Sequence, residues 1–161
     1  MKNAGALLAA CVVLLGACTV ERREEVPGAT RTPPRAEKEI IQVPGVARLP
    51  VFSPAVRVGE LLFLSGQIGT AGGELKVVDG GVGAETRQTL ENIRAVLAAA
   101  GATMEDIVKC TVFLADIADY PAMNEAYLEF FPSDPPARSA MAGSGLALGA
   151  RVEIECIARA P

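Results

Sequence analysis

The run "DIVKCTVFLADIADYPAMNEAY", Asp106 to Tyr127, carries two periodicities back to back. Ile107 to Ala115 is rich in β-branched and aromatic residues, a composition that predicts a central strand. Asp119 then stands where a helix cap belongs, and Pro121 suits the first turn. Met123, Tyr127 and Phe130 share one helical face. Pro132, Pro135 and Pro136 stop that helix.

Working outward, Ala84 to Ala100 repeats apolar residues at helical spacing through Leu90, Ile93, Val96, Leu97 and Ala100. Gly101 follows in the place of a C-cap glycine. Upstream, Glu39 to Val43 and the mostly apolar Glu60 to Ile68 read as strands. Gly69, Gly72 and Gly73 mark a turn before a short strand at Glu74 to Val78. Downstream, strands are predicted at Ala137 to Ala142 and Arg151 to Arg159, joined by the glycine-bearing connector Gly143 to Gly149. The order predicts an α+β fold, with roughly six strands in one sheet and two helices on one face. The other face would stay apolar and bare, and a symmetric oligomer is the usual cover for so small a chain.

Composition removes several classes of chemistry. The 161 residues include no histidine, so a Ser-His-Asp triad, a Cys-His dyad and a His-ligated zinc site are excluded. Cysteines at 11, 18, 110 and 156 match no metal-ligand spacing, and no metal or organic cofactor is expected. Residues 40–161 hold nine basic and fourteen acidic side chains, a net charge near −5, and the whole chain has no tryptophan. That balance gives neither a basic surface for phosphates nor a stacking platform, so nucleic acid is not expected as a partner.

The first forty residues read as an address and a tether. Lys2 followed by Ala4 to Ala17 has the n-region and h-region of a secretory signal, too short to span a bilayer comfortably. It ends in Leu15-Gly16-Ala17-Cys18, which resembles the lipobox of bacterial lipoproteins and makes Cys18 the expected lipidation site after removal of residues 1–17. Thr19 after that cysteine points to the outer membrane of a diderm cell. Thr19 to Glu39 holds ten charged residues, five of each sign, and three prolines, so residues 18–39 read as a solvated, lipid-anchored tether. The domain is then 40–161, exported and held at a membrane on the periplasmic side.

Five blocks in order carry a family resemblance: "LLFLSGQIG" (Leu61 to Gly69), "TRQTLENIRAVLAAAGA" (Thr86 to Ala102), the opening run, "PPARSA" (Pro135 to Ala140) and "RVEIECIA" (Arg151 to Ala158). Together they resemble the RidA family of reactive intermediate deaminases, also called YjgF. The resemblance implies a chorismate-mutase-like fold with a mixed sheet, a homotrimer with a site at each subunit interface, and hydrolysis of 2-enamino and 2-imino acids to 2-keto acids and ammonia. It also implies that Arg138 pairs with the α-carboxylate of a small anionic substrate. A guanidinium suits that task because it stays charged and presents a planar fork of donors. Glu153 matches the family's water-holding acid. By strand alternation Glu155 shares its face and stays open as a second carboxylate.

Ser65, Gly66 and Asn124 match site-wall positions. Phe52 stands where many relatives have tyrosine, and Ala140 replaces a cysteine found after "RS" in many relatives. Those two departures leave open an alternative, a ligand-binding or chaperone-like module of the same fold without catalysis. Tyr120 and Tyr127 read as packing residues. Cys110 and Cys156 read as small buried hydrophobes, with a disulfide open only if their Cα atoms lie within roughly 7 Å.

Overall fold

The run that opened the sequence reading forms the middle of the structure, a computed structural model that describes residues 35–45, 50–71 and 74–161. The predicted signal, Cys18 and the tether as far as Pro34 lie outside the described residues, as do Gly72 and Gly73 of the predicted turn. The elements are β1 (Lys38–Ile41), β2 (Ala55–Val58), β3 (Leu61–Leu64), β4 (Gln67–Ile68), α1 (Gly81–Ala99), β5 (Ile107–Leu114), α2 (Tyr120–Leu128), β6 (Ala137–Ala142) and β7 (Val152–Arg159). The sheet runs β1-β2-β3-β7-β5-β6, with the two-residue β4 also paired to β7. Among the described strands only β5 and β6 run parallel, connected through α2, so the sheet is mixed as expected.

One face of this sheet is closed. Leu62, Val112, Leu114, Val152, Ile154 and Ala158 are fully buried with Leu90, Ile93 and Leu97 of α1 and Met123 of α2. The predicted stripe of α1 is the buried one. The opposite face carries Phe63, Phe113, Glu153, Glu155 and Ile157, paired across β3, β7 and β5. Leu61 and Phe63 remain more than 40 % exposed there.

Several expectations are corrected. β1 begins at Lys38, inside the segment read as tether, because Lys38 and Glu39 pair with Val58 and Arg57 of β2. β2 is an addition to the expected strands: Val56 and Val58 alternate as β-branched residues should, but over only four residues. The expected strand Glu60 to Ile68 breaks at Ser65 and Gly66: the Ser65 N–H still follows the β2 ladder to the Pro54 carbonyl at 3.0 Å, but the register against β7 slips by one residue between Phe63–Ile157 and Gln67–Ile154. At Glu74 to Val78 there is an isolated bridge from Val77 to Thr70 in place of a strand. Asp119 precedes α2 without capping it through its side chain, since its carboxylate is taken by Arg151 at 2.9 Å.

The two domain cysteines are joined. Cys110 of β5 and Cys156 of β7 sit directly opposite each other and form a disulfide, with Cα atoms 4.1 Å apart. Both are buried, as a small hydrophobe would be, and their Cα separation meets the condition on which the pairing was left open. Neither strand's own sequence reveals that the antiparallel register puts these two positions face to face.

Candidate active site

Arg138 lies on β6, the edge strand, opposite Cys110 of β5. Paired strand residues share a face, so the arginine projects to the helix-covered side. Its guanidinium rests over the Tyr127 ring, 4.6 Å from the centroid. That ring is buried, and burial pushes its phenol up to about 12 despite the nearby cation. The Arg138 Nη2 donates to Asn124 Oδ1 at 2.6 Å and to the Tyr120 hydroxyl at 3.3 Å. Asn124 and Tyr120 are four residues apart on α2, one helical turn, which is why they converge on one nitrogen. The Nε and Nη1 donors have no protein partner among the described residues. A cation whose orientation is fixed on one side and open on the other is prepared to receive an anion.

Tyr120 is more than the packing residue expected. Hydrogen bonding to Asn124, and then to the Arg138 guanidinium, holds its phenol below the usual tyrosine range. Its sequence neighbourhood gives no warning, because Arg138 is eighteen residues away and meets it only through the β5-α2-β6 crossover.

Glu153 is built into a different place. It pairs with Phe113, three residues along β5 from Cys110, and so projects to the bare face, opposite to Arg138. Burial, with a smaller contribution from the charge of Glu155, raises its carboxyl above the ordinary value of 4.5. Gly66 explains how the carboxylate is seated, because a Cβ at that position would fall on the Glu153 carboxylate. Gly66 thus leaves room for the carboxylate in this position. Ser65 is half-buried beside it, and its hydroxyl donates to the Ser53 carbonyl at 2.7 Å, fastening the segment that carries the half-exposed Phe52.

The carboxylate's strand is positioned by groups that the sequence reading passed over. Glu85 of α1 is buried and accepts a 2.8 Å hydrogen bond from the Arg151 backbone N–H, just before β7 begins. The Arg151 side chain in turn pairs with Asp119 at the start of α2. Asn92 of α1 donates to the carbonyls of Ile68 and Thr70, both at 2.9 Å, and pins the strand next to Glu153. A signal existed for Glu85 alone: it is a carboxylate on the stripe that includes Val82, Leu90 and Ile93.

The structure thus brings Arg138 together with Asn124, and Glu153 with Gly66 and Ser65, but puts the two groups on opposite faces of one sheet. An oriented guanidinium at a sheet edge has the chemistry to accept a small carboxylate. A family model described as "Endoribonuclease L-PSP" matches residues 46–160, and the chain belongs to that family, the RidA/YjgF proteins. It is 38 % identical over 140 residues to the chloroplastic Reactive Intermediate Deaminase A of Arabidopsis thaliana, covering 81 % of this chain and 75 % of that one. It is 43 % identical over 107 residues to the human 2-iminobutanoate/2-iminopropanoate deaminase, covering 66 % and 78 %. Among solved structures, E. coli TdcF with bound serine superposes with a TM-score of 0.69 at 32 % identity, over 76 % of this chain and 99 % of that one.

Proposed function

We propose that the protein is a 2-imino acid deaminase that hydrolyses 2-enamino and 2-imino acids to 2-keto acids and ammonia. The observation that carries this reading is the preset guanidinium of Arg138, held by Asn124 and Tyr120 with donors to spare, in a chain similar to deaminases of small imino acids. The substrate's α-carboxylate binds those donors. An enamine is first protonated at carbon; water then adds to the C=N carbon, forming a C–O bond and a carbinolamine. The C–N bond breaks, and ammonia leaves with the proton released from the hydroxyl. Glu153, with a raised proton affinity, orients the water and accepts its proton. This chemistry needs no imidazole.

Because Arg138 and Glu153 lie on opposite faces, a site containing both requires two copies of the chain. A homotrimer, with Arg138 from one protomer and Glu153 from the next, supplies that and covers Leu61 and Phe63. Export and lipid anchoring through Cys18 complete the proposal. The buried Cys110–Cys156 disulfide supports it, since such bonds persist in oxidising compartments. The family's description as an endoribonuclease names a nuclease, but a domain charge near −5 opposes a polyanionic substrate.

The test is keto acid release from imines generated in situ by an amino acid oxidase. Acceleration by the protein is expected, and identical rates with and without it would reject deamination in favour of a binding module. Labelling with radioactive palmitate, lost in Cys18→Ser, tests the anchor; unlabelled wild-type protein in a lipoprotein-processing host would reject it.

A further inference from the structure

Arg138 has an apolar neighbour that the deamination reading leaves unused. Ala140 is two residues along β6 and so projects to the same side. Facing it are the turn Ile117–Asp119 and the start of α2. Ile117, Ala118, Tyr120, Pro121 and Ala140 line a shallow, solvent-open cleft of about 440 Å³ with no charged side chain in its lining. Tyr120 belongs to both places. Its oxygen accepts from Arg138 Nη2 at 3.3 Å, and its ring walls the cleft.

In a 2-imino acid, the carboxylate and the side chain are attached to the same carbon. Fixing the carboxylate at Arg138 therefore leaves the side chain only a bond or two away, within reach of whatever adjoins the guanidinium. We propose that this cleft is the side-chain subsite and that the preferred substrates are 2-imino acids with branched aliphatic or similarly sized apolar side chains. The proposal rests on the deaminase reading and deepens it. A single methyl group leaves most of such a volume to water, whereas a four-carbon branched chain covers Ile117, Tyr120 and Ala140. Each methylene so buried favours binding by about fourfold, and a hydrophobic pocket discriminates by one methylene at roughly tenfold or more.

The experiment compares imines generated in situ from leucine and from alanine, using the full chain. Wild type is expected to favour the leucine-derived imine in kcat/KM by tenfold or more. Ala140→Leu, which fills the cleft, and Ile117→Ser, which wets its lip, are each expected to cut that ratio at least tenfold. Ile117 is 59 % exposed, so its replacement does not endanger folding if Ala140→Leu proves unstable. A wild-type ratio near one, or a ratio unmoved in Ile117→Ser, overturns the proposal. So does a variant that changes the oligomer mass by light scattering in place of the ratio, which would make the cleft a seat for another copy. Calorimetric binding of 4-methyl-2-oxopentanoate against pyruvate separates this from the parent reading. If the branched keto acid binds tighter and loses its advantage in both variants while no imine is turned over, the subsite stands and deamination falls.

Discussion

Arg138 and Glu153 are fifteen residues apart in the chain, and the sheet that holds both keeps them apart by its own thickness. Around Arg138 the surroundings are aromatic and helical: a buried ring beneath it, and two polar groups from one turn of α2 fixing its plane. Around Glu153 they are backbone and sheet: a glycine that makes room, and a strand start tied down by the buried Glu85. The first region is built to hold an anion, the second to hold a proton. On the proposed deamination each would supply half of a hydrolytic site. The difference teaches that the proposed reaction, if it uses both groups, calls for more than one protomer, since no rotamer carries a side chain through a sheet.

The heaviest blow to the comparison is removal of the cation. Arg138→Ala is expected to lower kcat/KM roughly 10³-fold, as loss of charge-assisted hydrogen bonds to a carboxylate implies, with the mass by light scattering unchanged. Arg138→Lys should rescue little, because a single ammonium cannot reproduce the planar fork. Persistence of full activity in Arg138→Ala would remove the anion-holding half altogether.

Glu153→Gln should cost roughly 10²-fold, within the range for a lost general base. The pH profile sharpens this. Glu153 must be ionised to take a proton, and its affinity for the proton is raised, so the acid limb of kcat/KM should fall above pH 4.5. Removing the neighbouring charge in Glu155→Gln should move that limb to lower pH, because Glu155 is one source of the rise. An unmoved limb would assign the titration to another group.

Mixing tests the separation of the halves directly. Arg138→Ala and Glu153→Gln chains, each nearly inactive, should regain about one quarter of wild-type activity when co-assembled in equal amounts, as random filling of a head-to-tail ring requires. No recovery would mean that both groups act from one protomer, contrary to the sheet geometry.

The disulfide bears on both halves, since β5 and β7 back each of them. Replacing Cys110 and Cys156 with alanine should cost about 4 kcal/mol for a loop of this size, seen as a melting temperature lower by roughly 15 °C. An unchanged melting temperature would show that the bond does not form. The smallest effect is expected from Tyr120→Phe, which keeps the ring and loses one hydrogen bond to Arg138. KM should rise roughly fivefold with little change in kcat, the cost of one ordinary hydrogen bond, since this one is long at 3.3 Å.

Local sequence was enough for much of this. The period of α1, the β-branched run of β5, Pro121 at the head of α2 and the alternation that puts Glu153 and Glu155 on one face of β7 are consequences of neighbours in the chain, and all are present. Arg138 and Glu153 were legible through motifs, as was Gly66, whose missing side chain turns out to leave room for a carboxylate. Alternation assigns a residue to one of two faces of its own strand. It does not say which face meets the helices, nor which residue of another strand lies opposite. Those are settled by register and by the crossover through α2, over separations of tens of residues. Hence the Cys110–Cys156 bond, the grip of Tyr120 and Asn124 on Arg138, and the placing of Arg138 and Glu153 on opposite sides of the sheet were decided by the tertiary structure alone.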